Sequence, residues 1–116
     1  MTLKKSNGVV YFIKSHDKIK IGITTSDLDT RLKALWGSSP VKCEVLGVIF
    51  CENPSKLEGE LHRRFNRLWS HAEWFNTDKS ITDYIRINAK PYNFEFSAGN
   101  QNITALKYRR DTYEAV

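Results

Sequence analysis

Several side chains between residues 11 and 62 could together act on an anionic substrate; they are Tyr11, Lys20, Arg31, Glu58 and His62. A carboxylate can hold a divalent cation, an arginine can grip an anion with its planar fork, and a phenol or imidazole can move a proton. Each residue also has an ordinary interpretation: a packing tyrosine, a solvated strand lysine, a surface arginine, or a half-exposed Glu–His hydrogen bond. Residue type alone leaves both interpretations open.

Glu58 and His62 are placed by a helix that the sequence predicts after Asn53-Pro54, an N-cap residue followed by a proline at the first helical position. Their spacing of one helical turn allows both side chains to act on the same atom. They lie at the edge of the apolar stripe, where an ionisable pair is costly unless it has partners. The stripe consists of Leu57, Leu61, Phe65 and Leu68.

Tyr11 and Lys20 fall in two predicted strands, residues 9–13 and 19–23, which are rich in β-branched and aromatic residues. The short polar segment between them is typical of a hairpin loop, so the two strands should pair antiparallel. This pairing would bring Tyr11 close to the second strand.

Arg31 lies on a helix predicted from the spacing of Leu28, Leu32 and Leu35, which should end near Gly37. Ser26 and Asp29 have the spacing of a capping box at its start. Residues 43–51 form an apolar, β-branched run that predicts a third strand, and a shorter helix should follow Asp78.

These elements predict an α+β fold in which a small three-stranded antiparallel sheet is flanked by helices, with one compact domain over residues 8–88. Residues 89–116 read as a C-terminal appendage. It contains a basic and aromatic cluster that could bind nucleic acid or could be a solvated terminus; the cluster is formed by Lys107, Tyr108, Arg109 and Arg110.

The composition favours a globular protein with a polyanionic partner. The chain has 116 residues, 41% of them hydrophobic, a formal net charge of +5 and a pI near 9.3. No apolar run approaches the roughly 20 residues of a membrane span, and no secretion signal is visible. Cys43 and Cys51 have no neighbours at zinc spacing, so reduced thiols and a cytoplasmic location are expected.

The order of the motifs resembles the GIY-YIG nuclease superfamily. Val-Val-Tyr ends at Tyr11, Lys-Ile-Gly begins at Lys20, and Arg31 follows on the next helix. Glu-x-x-x-His-x-x-Phe then begins at Glu58, and Glu-Trp-Phe begins at Glu73. The pattern is most similar to a phage and bacterial branch with Lys-Ile-Gly as its second motif, and it covers roughly residues 8–85.

The resemblance implies metal-dependent hydrolysis of DNA, with Mg²⁺ or Mn²⁺ as the cofactor. By this resemblance Tyr11 is the general base, Arg31 binds the phosphate and Glu58 holds the metal ion. Lys20 takes the variable position of the second motif, where it could favour a phenolate at Tyr11, and His62 is this branch's histidine.

Two departures from the family pattern keep a second class of function open. The second motif lacks its tyrosine, and Leu35 stands where some relatives have a histidine. A catalytically inactive nucleic-acid-binding module, or an anti-defence interaction protein, is therefore the alternative. The sequence leaves the oligomeric state open, with a homodimer as one option.

Overall fold

The computed structural model describes residues 2–4, 7–38, 43–92 and 113–115. Within these ranges the chain forms seven strands, three α-helices and one 3₁₀ turn. The strands are β1 (Thr2–Lys4), β2 (Gly8–Ser15), β3 (Lys18–Thr24), β4 (Glu44–Cys51), β5 (Trp69–His71), β6 (Trp74–Asn76) and β7 (Tyr113–Ala115). The helices are α1 (Leu28–Ser38), α2 (Pro54–Arg64) and α3 (Lys79–Asn88), and the 3₁₀ turn is Asn66–Leu68.

The main sheet has five antiparallel strands in the order β4-β2-β3-β6-β5. The predicted α+β fold and the central β2–β3 hairpin are confirmed, but the sheet is larger than the three strands predicted. The β5–β6 hairpin adds two strands at the edge of β3, and Ala72, with a φ of 48°, lies in its turn. A separate pair, β1 with β7, joins the two ends of the chain.

The central strand β2 is buried on both faces of the sheet, which explains its nearly continuous apolar sequence. On one face Val10 and Phe12 pack in a core to which α2 and α3 contribute Leu61 and Ile85. On the other face Tyr11 belongs to a second core, which α1 covers with Leu28 and Leu32. Residues on β2 are therefore positioned by packing from both sides.

All three predicted helices are present, and two of them begin at the predicted caps. The Asn53 side chain accepts a hydrogen bond from the Lys56 amide at 3.1 Å, and the Asp78 side chain accepts one from the Ser80 amide at 2.9 Å. No helix within the described residues is long and apolar enough to cross a membrane.

The predicted capping box at the start of α1 is wrong. Asp27 is the residue whose side chain accepts a hydrogen bond from the Thr30 amide, at 3.3 Å. Asp29 is instead buried, and its carboxylate accepts a hydrogen bond of 2.5 Å from the Tyr92 hydroxyl. The Asp29 carboxylate therefore bonds to a residue distant in the sequence and does not cap α1 in the way that its spacing had predicted.

The beginning of the predicted appendage contacts the main domain. The Lys90 amide donates to the Val48 carbonyl at 2.8 Å, and Tyr92 is buried against the same core as Tyr11. The boundary predicted near residue 88 stays a prediction. The basic and aromatic cluster, Lys107 to Arg110, lies outside the described residues.

Candidate active site

Tyr11 lies in the middle of β2 and is fully buried. In the sheet it stands directly opposite Gly22 of β3. A Cβ built on Gly22 would lie 2.6 Å from both Cζ and Oη of Tyr11, so a larger residue there would collide with the ring. The glycine of the Lys-Ile-Gly motif therefore leaves the space in which the phenol crosses β3.

Arg31, in the first turns of α1, provides the cation at the Tyr11 hydroxyl. Its Nε donates to the Tyr11 oxygen at 3.3 Å, and its side chain is otherwise exposed. The hydrogen bond to Tyr11, together with the charge of Tyr11 and that of Glu73, raises the pKa of Arg31. Within the described part of the chain the terminal guanidinium nitrogens make no other hydrogen bond, so they can bind an external anion.

His62 anchors α2 to the edge of β3. Its Nε2 lies 3.1 Å from the Ile21 carbonyl oxygen, and its ring meets Phe75 edge-on with 5.0 Å between the centroids. Because a carbonyl only accepts, Nε2 must carry the hydrogen. This arrangement leaves Nδ1 as the nitrogen for any further contact.

Glu73 is a site residue that the sequence analysis did not assign, although the Glu-Trp-Phe motif contains it. It lies in the β5–β6 turn, where its carbonyl accepts a hydrogen bond from the Ile21 amide at 3.1 Å. Its carboxylate forms an ion pair with Lys20, with 2.7 Å between Nζ and Oε1. The available signal in the sequence was an acidic residue directly before a Trp-Phe pair. Because β6 has only three residues, its pairing with β3 could not be predicted from the sequence.

The carboxylates of Glu58 and Glu73 influence each other's ionisation. Burial, and then the negative charge of Glu73, raise the pKa of Glu58. Burial alone would also raise the pKa of Glu73, but the hydrogen bond and charge of Lys20 hold it below its usual value. Oε2 of Glu58 is buried without a hydrogen-bond partner in the described structure. Two ionised carboxylates cannot donate to each other, so a proton or a cation between them would relieve the repulsion.

The site residues come from β2, β3, α1, α2 and the β5–β6 turn, and they form two halves. The phenol half consists of Tyr11, Gly22 and Arg31. The carboxylate half consists of Glu58, Glu73, Lys20 and His62. Glu73 links the halves electrostatically, since its charge acts on Arg31 in one half and on Glu58 in the other.

Lys20 lies in the carboxylate half, where it pairs with Glu73 and lies 5.7 Å from the centroid of the Trp74 ring. The cation in hydrogen-bond contact with the Tyr11 hydroxyl is Arg31. The expected influence of Lys20 on Tyr11 therefore stays a prediction.

The carboxylate half fits a divalent cation of the kind that prefers oxygen ligands. The buried oxygen of Glu58, which has no hydrogen-bond partner among the described residues, and the Glu73 carboxylate are hard donors. In the described part of the chain, no three His, Cys, Asp or Glu side chains group closely enough to enclose a metal ion. The fit is therefore to an ion that keeps water or substrate oxygens in most of its positions, as Mg²⁺ does.

A small α+β domain in which the terminal nitrogens of Arg31 are exposed is suited to bind an anion. The family model described as the T5orf172 domain matches residues 8–89. The chain therefore belongs to the T5orf172 family, which is associated with nuclease-like function. No curated protein and no solved structure matches the chain.

Proposed function

We propose that this chain is a GIY-YIG-type endonuclease that hydrolyses phosphodiester bonds in DNA with the help of a divalent metal ion. One observation carries the proposal: a buried phenol is paired with an arginine, and the charge of Glu73 acts both on that arginine and on Glu58, one of whose oxygens is buried with no hydrogen-bond partner among the described residues. The net charge of +5 and the nuclease association of the family support a polyanionic substrate.

In the proposed reaction Arg31 binds a non-bridging phosphate oxygen through its terminal nitrogens, which holds the phosphorus near Tyr11. The hydrogen bond from Arg31 also fixes the position of the Tyr11 oxygen, which we assign as the base. Tyr11 takes a proton from a water molecule. The water oxygen bonds to phosphorus, the bond from phosphorus to the leaving oxygen breaks, and that oxygen gains a proton from solvent.

Glu58 would hold the metal ion, with Glu73 beside it. A bound Mg²⁺ or Mn²⁺ supplies Lewis acidity to the phosphoryl and leaving oxygens. Lys20 keeps Glu73 ionised through its ion pair, and His62 fixes the position of α2 against β3. We assign both residues to positioning these carboxylates.

The test combines cleavage with metal binding. Supercoiled plasmid is incubated with the purified chain in Mg²⁺, in Mn²⁺ and in EDTA, and nicked and linear products are measured. The matched variants are Glu58→Gln and, on the exposed side of the same helix, Glu60→Gln. Thermal melts with and without Mg²⁺ report binding directly, since a ligand of the folded state raises its stability.

We expect nicking by the parent chain and by Glu60→Gln only with the metal ion, together with a Mg²⁺-dependent rise in melting temperature. Glu58→Gln should lose both. Plasmid binding without any cleavage in Mg²⁺ or Mn²⁺ would overturn the enzyme proposal in favour of an inactive nucleic-acid-binding module. Cleavage that persists in EDTA would overturn the role of the metal ion.

A further inference from the structure

A depression lies next to the candidate active site and shares Lys20 with it. Its volume is about 310 Å³ when the open space above it is included. The residues that line it come from β2, β3, β6, α1 and the segment before β4; they are Ile13, Ser15, Lys20, Leu35, Cys43 and Trp74.

The pairing of the strands places this depression one row away from Tyr11. Tyr11, Ile13 and Ser15 alternate along β2 and therefore face the same side of the sheet. Lys20 stands opposite Ile13, and Trp74 stands opposite Lys20. Two residues along a strand span roughly 6.6 Å, a distance that one nucleotide can bridge between its phosphate and its base.

The lining suits a flat ring with polar edges. Trp74 offers an indole and Leu35 offers apolar contact, whereas Ser15 has a hydroxyl that can donate and accept. Lys20 contributes positive charge at the border between the depression and the carboxylate half. Aromatic side chains commonly stack on unpaired bases in proteins that bind single-stranded nucleic acid.

We propose that this depression binds the nucleobase of a nucleotide adjacent to the scissile phosphate, taken out of the base stack and held against Trp74. The inference rests on the proposed function, because it places the phosphate at Arg31 and Tyr11. It also gives that function a substrate class. The preferred DNA has an unpaired or easily unpaired nucleotide at the cut site, since extruding such a base costs the least.

The test measures binding in EDTA, so that cleavage does not enter. Fluorescence anisotropy compares two labelled duplexes that each carry a one-nucleotide bulge, one with a base at the bulge and one abasic. We expect the parent chain to bind the base-containing bulge about tenfold more tightly, the low end of base–aromatic stacking. Trp74→Ala should reduce this ratio to about one.

The matched control is Trp69→Ala, because Trp69 is 54% exposed on β5 and does not line the depression. Leu35→Phe provides a second variant, which fills the depression without removing the indole. Both Trp69→Ala and Trp74→Phe should keep most of the preference, and Leu35→Phe should lose it. Circular dichroism verifies that each variant is folded.

An unchanged ratio in folded Trp74→Ala and Leu35→Phe would overturn the inference, as would a parent chain that does not distinguish the two bulges. Either result is compatible with metal-dependent nicking of plasmid, which would leave the proposed function standing. If the chain never cleaves but shows a base preference that depends on Trp74, the result would support base binding in the depression. It would contradict the proposed enzyme activity.

Discussion

The two halves of the site differ in whether their polar groups find partners among the described residues of the chain. In the phenol half Tyr11 is fully buried, Gly22 leaves room for its ring, and Arg31 satisfies its hydroxyl. In the carboxylate half Glu58 is partly buried beside another carboxylate, and one of its oxygens has no partner in the described structure. The first half is held by packing, whereas the second keeps an electrostatic conflict that a cation would relieve. Such conflicts are typical of functional sites.

The largest expected effect is that of Glu58→Gln on cleavage. Lewis-acid stabilisation is worth several kcal/mol, so loss of the metal ligand should lower the rate by about 10³ or more. The same change should stabilise the protein without metal, because it removes the repulsion between two half-buried carboxylates. After allowance for solvent screening, we expect a gain of about 0.5 kcal/mol.

The pH dependence of that gain follows from the raised pKa of Glu58. A carboxyl whose pKa is higher in the folded state destabilises the fold as pH rises through that pKa, and costs nothing below its unfolded value. The advantage of Glu58→Gln in urea unfolding should therefore be absent in acid and complete at neutral pH. A variant that is less stable than the parent at neutral pH would contradict the proposed conflict.

The phenol half is tested by Tyr11→Phe, which keeps the buried ring and removes the proton acceptor. We expect hydrolysis to slow by about 10² to 10⁴, with stability changed by no more than about 1 kcal/mol for the lost hydrogen bond. Single-turnover cleavage and a urea melt measure the two effects. Tyr84→Phe, a matched change on α3, should leave the rate unchanged. A Tyr11→Phe variant that cleaves at the parent rate would reduce Tyr11 to a core residue.

Two glycine substitutions test the packing of the phenol half, because we expect them to change the free energy of unfolding in opposite directions. Gly22→Ala places a methyl group 2.6 Å from the Tyr11 ring and should destabilise the fold by about 1–3 kcal/mol. Gly59→Ala, in the middle of α2, meets only the end of the Arg63 side chain at 3.4 Å and should stabilise the fold by about 0.5–1 kcal/mol. Urea unfolding of both variants decides the point. Equal effects would show that Tyr11 does not depend on the space at Gly22.

The sequence predicts more of the structure of the phenol half than of the carboxylate half. The β2–β3 hairpin and α1 are local structures with clear periodicity, and they bring Tyr11, Gly22 and Arg31 together over only 21 residues of chain. The caps at Asn53 and Asp78 likewise act over a few residues, so both helix starts were correct.

What could not be predicted depends on contacts between distant segments. The strands of the β5–β6 hairpin are three residues long and carry no glycine or asparagine in their turn, so periodicity gives almost no signal. Glu73 becomes a site residue only because β6 pairs with β3. The spacing likewise predicts a local cap at Asp29, whereas its partner Tyr92 is 63 positions away.

Lys20→Met tests the effect of Lys20 on the ionisation of Glu73 in the carboxylate half. Burial alone would raise the pKa of Glu73, and the hydrogen bond and charge of Lys20 lower it. Without Lys20 the pKa of Glu73 should rise, so the Glu73 carboxyl should lose its proton only at higher pH. We expect the acid limb of the pH–rate profile to move to higher pH. Lys18→Met, on the same strand, is the control, and an unshifted profile would remove Lys20 from the mechanism.

The smallest effect is expected from the basic and aromatic cluster, which lies outside the described residues. Deleting residues 104–116 would also remove β7, which pairs with β1, so a loss of binding could then reflect lost structure. Substituting Lys107, Arg109 and Arg110 by alanine keeps β7. If the cluster binds phosphates, the slope of log K against log salt should flatten by roughly one unit for each lost contact.

This slope separates the cluster from the two halves of the site. Cleavage at saturating enzyme should survive the triple substitution, because none of the three residues belongs to either half. Lys79→Ala, which removes an exposed cation of α3 that pairs with Asp83, serves as the control for loss of a positive charge outside the cluster. Equal slopes and equal affinities in the triple variant and the parent chain would show that the cluster does not contact DNA. The positive charge that attracts the substrate would then have to come from the domain itself, beginning with the exposed guanidinium of Arg31.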